Sequence, residues 1–192
     1  MLLLILGLII FLGVHSLGIF AEDWRRRQIL HFGAAGWKGR FALVSLVGFV
    51  MIIVGFGEAR VTPVLIYAPS DWLRHLNILW TLIASVLVAA AYTPGNRIKA
   101  RIGHPMLAGV AIWAFGHLLA VGTLSDVVLF GAFLVWALVD FVVSSLRDRR
   151  DGTVYPPGSR QGDITAITVG VVVWIAFAIW LHRWLIGVNP LA

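Results

Sequence analysis

Six long apolar runs alternate with short polar connections along this chain, at 2–21, 41–57, 72–92, 105–122, 125–146 and 164–185. Each approaches the roughly 20 residues that a helix needs to cross a bilayer. Helices are predicted because a lone strand in lipid would leave its N–H and C=O groups unpaired. Breakers fall between the runs: Pro63 and Pro69, the Thr93-Pro94-Gly95-Asn96 turn, and Pro156-Pro157-Gly158. Pro105 falls in the first turn of the fourth run, where its missing N–H costs nothing. The pattern predicts an all-α polytopic bundle of about six transmembrane helices, a single integral membrane domain over 1–192, without internal repeats.

Composition agrees. The chain is 60% hydrophobic and 12% charged, with a mean hydropathy of +0.92, where soluble domains carry about 25% charged residues. Six spans leave little chain for a separate soluble domain. The net charge of +6 and pI near 10.8 come from short basic clusters between apolar runs, so inner-leaflet lipid is the expected partner and nucleic acid is not. The apolar N-terminus lacks a basic leader and an A-x-A site and runs straight into Arg25-Arg26-Arg27, so it is read as a retained first helix.

Charge also predicts orientation. Arg25, Arg26, Arg27, Lys38, Arg40, Arg97, Lys99, Arg101, Arg147, Arg149, Arg150 and Arg160 follow the odd-numbered spans, whereas Arg60, Arg74 and Arg183 lie on the other side. The positive-inside rule then predicts a bacterial inner-membrane protein with both termini periplasmic. Trp72, Trp180 and Trp184 fit an outer aromatic belt, Trp24 and Trp37 an inner one.

There is no cysteine, which excludes disulfides, thiolate metal sites and covalent haem attachment. Any metal chemistry falls to His, carboxylate or Met. Ionisable and strongly polar residues inside a membrane are expensive and therefore candidates: His15, His75, Asn77, His117, Asp140 and His182. Gly109, Trp113 and His117 recur every four residues and form one stripe of small residue, aromatic and imidazole, a lining for a flat ring cofactor. His15 lies among glycines at a depth near that of His117, so helix tilts of about 20° can bring both rings to one iron. The alternative for each is a packing His bonded to a neighbouring carbonyl. His75 and His182 lie near the outer boundary and join His117 in an alternative metal or quinone site, or simply meet headgroups. Asp140 reaches toward Lys99 or Arg101, or serves a His from the second shell. Asn77, Thr81 and Ser85 read as interhelical glue. His104 is ~20 Å along the helix from His117 and cannot share its metal.

The stretch Arg101-Ile-Gly-His104-Pro105 through Trp113-Ala-Phe-Gly-His117 resembles the NnrU family of bacterial inner-membrane proteins. So do Val14-His15-Ser16, Arg74-His75-Leu76, the Asp140 helix and Trp180-Leu-His182-Arg-Trp-Leu-Ile-Gly-Val. That resemblance implies a link to denitrification, with nitrite and nitric oxide reductase system proteins as partners. The family is also similar to 15-cis-zeta-carotene isomerase, a membrane enzyme that uses haem b, and this implies haem b with His15 and His117 as axial ligands. The isomerase carries Cys three residues before its second His, where this chain has Ala114, so thiolate ligation does not carry over. Gly103-His104-Pro105 through Gly109 is more weakly similar to membrane methyltransferases, without their Arg and Tyr. The expectation is a haem b protein engaged in redox sensing, electron transfer or haem-dependent chemistry such as isomerisation; the alternatives are a non-catalytic assembly factor for the reductases, a methyltransferase-like protein and a cofactor-free transporter.

Overall fold

A computed structural model describes residues 1–190. Its helices are α1 (Leu2–His15), α2 (Leu17–Phe20), α3 (Glu22–Ala59), α4 (Asp71–Tyr92), α5 (Arg97–Ile102), α6 (Pro105–Ala120), α7 (Leu124–Asp151) and α8 (Arg160–Ala176); a π-helical turn (Phe177–Leu181) then leads into α9 (His182–Ile186). All six apolar runs are helical. Four helices are long and apolar enough to cross a membrane: α3, α4, α7 and the continuous stretch Arg160–Ile186. The other two, α1 with 14 residues and α6 with 16, reach only about 21 and 24 Å at 1.5 Å per residue, short of a core of ~30 Å.

The first run is therefore not the single uninterrupted helix over 2–21 that hydropathy predicts. Ser16 turns its hydroxyl back to donate to the Leu12 carbonyl at 2.6 Å, and at Ala21 the backbone leaves helical geometry (φ −138°, ψ 40°). A serine that bonds backward in this way weakens and bends the turn it sits in.

The second departure is larger. Residues 22–40, expected as a loop, are helical. Glu22 and Asp23 occupy the first turn of α3, where carboxylates favour the helix dipole, and Glu22 pairs with Arg26 one turn on. At Gly33 the backbone takes φ 72° and ψ 163°, a region open essentially to glycine. Trp24 and Trp37 would lie ~20 Å apart on a straight helix, yet their ring centroids are 5.9 Å apart. The chain thus doubles back at Gly33, laying 22–32 against 34–40.

Neighbouring helices pack in the order α3, α1, α7, α6, α4, α8. Leu4, Leu8, Ile52, Phe56, Ala114, Leu129 and Phe130 form the buried core where α1, α3, α6 and α7 meet. Lipid supplies no hydrophobic drive between helices, so close packing of small residues substitutes for it. The α1–α3 contact is close: a Cβ built on Gly7 would stand 2.7 Å from the Ile52 nitrogen, and one on Gly48 2.8 Å from the Phe11 nitrogen.

Side-chain caps fix the connections. Asn96 accepts from the Lys99 amide at 2.7 Å, and Thr123 and Asp126 form a reciprocal capping box at the start of α7. Where α6 begins, His104 Nε2 lies 2.9 Å from Asp148 Oδ2, which also accepts from the Tyr155 hydroxyl at 2.5 Å. His104 makes no side-chain cap bond to α6; it ties α6 to α7 and the following loop. Burial and the adjacent Asp148 carboxylate push the Tyr155 phenol up to about 12. The raised pKa means this interaction is intact below pH 10.0, the ordinary phenol value, and is lost as pH climbs toward 12. Asp148→Asn should lower the Tyr155 pKa toward the ordinary value, read by NMR of ring-labelled tyrosine.

Candidate functional site

Two cavities hold the intramembrane histidines. The larger, of about 690 Å³, lies between α4, α6 and α8, within the roughly 300–1,000 Å³ typical of ligand pockets. Gly109, Trp113 and His117 line it from α6, so the predicted stripe does face a cavity. Trp174 and His182 close it from α8 and α9, and Arg74 stands at one end. Gly109 also lets α6 approach α4, since a Cβ there would sit 2.9 Å from the Ala84 carbonyl oxygen.

Asn77, Thr81 and Ser85 line the same space from α4. Trp174 donates to the Thr81 hydroxyl at 3.0 Å, and Ser85 donates to the Gly170 carbonyl at 2.8 Å, so this stripe joins α4 to α8. Asn77 Oδ1 is buried against Gly116 of α6 and has no hydrogen-bond partner among the described residues.

The tautomers of the histidines follow from their partners. His117 Nδ1 lies 2.8 Å from the Trp113 carbonyl oxygen. A carbonyl only accepts, so Nδ1 carries the proton and Nε2 keeps its lone pair, the arrangement seen in metal-bound imidazoles. Phe130 stacks on the ring at 4.4 Å between centroids and fixes its plane. His182 Nδ1 donates likewise to the Val188 carbonyl at 2.8 Å. His117 and His182 both line this cavity, each with its Nδ1 engaged by a backbone carbonyl. His75 donates to the Asp71 carbonyl at 3.0 Å, is exposed, and lines neither cavity.

His15 has the same chemistry in another place. Its Nδ1 donates to the Phe11 carbonyl at 2.6 Å, but the ring lines the second cavity, of about 480 Å³, with Arg25, Lys38, Asp140 and Arg147. A run of ring contacts separates it from His117: His15 to Phe11 at 4.3 Å, Phe11 to Phe133 at 5.8 Å, Phe133 to Trp113 at 5.6 Å, and Trp113 to His117 at 5.1 Å. The two imidazoles expected to share an iron thus open onto different cavities, on either side of an aromatic partition. Asp140 shares the cavity of His15 and accepts from Ser144 at 2.9 Å. Lys99, one of the two basic partners expected for it beside Arg101, instead donates to the Ala91 carbonyl at 3.0 Å.

Among the described residues no group of three or more His, Cys, Asp or Glu is placed to hold a metal ion. A bare ion would find at most two imidazoles in the larger cavity, whereas a metal already carried in a macrocycle needs only one or two. Trp174 was not singled out by hydropathy, and Arg74 was read as a topology marker and as part of the Arg74-His75-Leu76 resemblance. Their shared face becomes visible only when α4 and α8 pack together.

No curated protein and no solved structure matches the chain. A family model described as NnrU protein matches residues 3–190, nearly the whole chain, and the chain belongs to that family.

Proposed function

We propose that this NnrU-family protein is a multi-pass inner-membrane component of denitrifying nitrogen-oxide metabolism that holds haem b in the larger cavity. The observation that carries this reading is that His117 and His182, each with Nδ1 held by a backbone carbonyl, line one space of about 690 Å³. His117 and His182 would hold the haem iron between them. Trp113 and Trp174 supply flat apolar walls, while Gly109 lets α6 pack closely on α4. Arg74 offers a guanidinium to carboxylates carried by the ring. Bound there, haem b supplies a one-electron couple whose potential the imidazoles and apolar walls set. Family membership supports the link to denitrification.

Protein expressed with ample haem and purified in mild detergent should show a Soret band, with sharp visible bands on reduction. A colourless protein that also refuses added haemin sinks the proposal and leaves the assembly-factor reading in front.

The same reading includes six crossings with both termini periplasmic, the two short helices α1 and α6 being completed by α2 and by local thinning of the bilayer. Reporter fusions in 95–103 and 152–159 should report cytoplasm, and fusions in 61–70 periplasm. The opposite pattern would reverse the orientation; fusions at 61–70 and 95–103 reporting the same side would remove the crossing by α4.

A further inference from the structure

The second cavity is the stronger unexplained feature, because it combines surplus positive charge with apolar walls. Arg25, Lys38 and Arg147 line it against the single carboxylate of Asp140. Arg147 is already committed: it donates to the Gly18 carbonyl at 2.6 Å and pairs with Glu22 at 3.3 Å. Asp140 is occupied by Ser144. The side chains of Arg25 and Lys38 have no hydrogen bond or ion pair among the described residues, which leaves two uncompensated cations at one hollow. Behind them Leu17, Ile29 and Phe41 supply apolar surface.

The doubling back at Gly33 makes this juxtaposition. Arg25 precedes the turn and Lys38 follows it, so a straight α3 would hold them ~20 Å apart. The cavity also lies at the end of the bundle where the basic residues concentrate, the side that faces anionic lipid under the positive-inside rule.

We infer that this cavity is a binding site for the phosphate group of an anionic phospholipid, with Arg25 and Lys38 holding the phosphate and Leu17, Ile29 and Phe41 taking the first part of the acyl chains. Apolar walls favour a lipid over a free anion, which would leave them wet. The site is independent of haem, since it lies beyond the aromatic partition from His117.

The test is native mass spectrometry of the whole protein released from mixed micelles of phosphatidylglycerol and phosphatidylcholine, titrating retained lipid. The double variant Arg25→Gln/Lys38→Gln should weaken phosphatidylglycerol retention by about 30-fold, the loss of two basic contacts near a membrane surface. Arg149→Gln/Arg160→Gln removes the same charge from the same side without touching the cavity and should retain the lipid as wild type does. Melting temperatures in pure phosphatidylcholine keep both variants honest as folded proteins. Equal loss in the two doubles overturns the site in favour of diffuse attraction. A parallel titration with inorganic phosphate separates the sources: binding as tight as that of phosphatidylglycerol overturns the lipid assignment.

Discussion

Replacing His117 with Ala should strip the protein of its Soret band, lowering haem affinity by at least about 100-fold, beyond the 10–100-fold that loss of a supporting contact costs at a metal site. The substitution removes the one imidazole whose ring plane is fixed by stacking on Phe130 and whose tautomer is fixed by the Trp113 carbonyl. His182→Ala should be milder: if haem b binds as proposed, it would be retained but with a high-spin spectrum, one imidazole having been lost. His15→Ala and His75→Ala should keep wild-type spectra, because neither ring lines the larger cavity. Loss of haem in His15→Ala equal to that in His117→Ala would mean that the iron bridges α1 and α6 and that the Phe11–Phe133–Trp113 partition opens to admit it.

The second large effect is mechanical. A Cβ on Gly55 would lie 2.7 Å from the Leu3 carbonyl carbon and 2.8 Å from Leu4 Cα, and backbone cannot swing aside as a flexible side chain does. Gly55→Ala must push α1 off α3, at a cost of about 3 kcal/mol, the upper end of ordinary overpacking. Two residues on, Gly57 has nothing within 4 Å of the same added atom, so Gly57→Ala should be neutral or stabilise by up to about 1 kcal/mol through helix propensity. Unfolding in denaturing detergent, followed by circular dichroism, compares them directly; equal midpoints would refute the close approach of α1 to α3.

The six apolar runs all fall in helices, because burial in lipid depends on local composition. What composition could not carry was the break at Ser16, where a hydroxyl competes with the backbone, or the helix over 22–40, whose polar residues resemble a loop until Gly33 folds them back. The stripe of Gly109, Trp113 and His117 was legible from helical spacing alone. Its companions were not: depth along a helix placed His15 beside His117, but it says nothing about which helices touch, and the contacts of α1 with α3 and α7 carry His15 to another cavity. Arg25 and Lys38 read as topology signals for the same reason, since their meeting depends on the backbone geometry of one residue, Gly33.

The π-helical turn at Phe177–Leu181 has a consequence for chain length. His182 lies eight positions after Trp174, about 80° out of phase on a regular α-helix, but the extra residue accommodated by a π-bulge brings them to within about 20°. That turn behaves as a one-residue insertion whose phase error has been absorbed, letting both side chains face the larger cavity. A chain shortened by one residue within 177–181 would then regain plain α-helical winding and keep His182 in place, whereas straightening the helix at constant length would swing the imidazole out toward lipid.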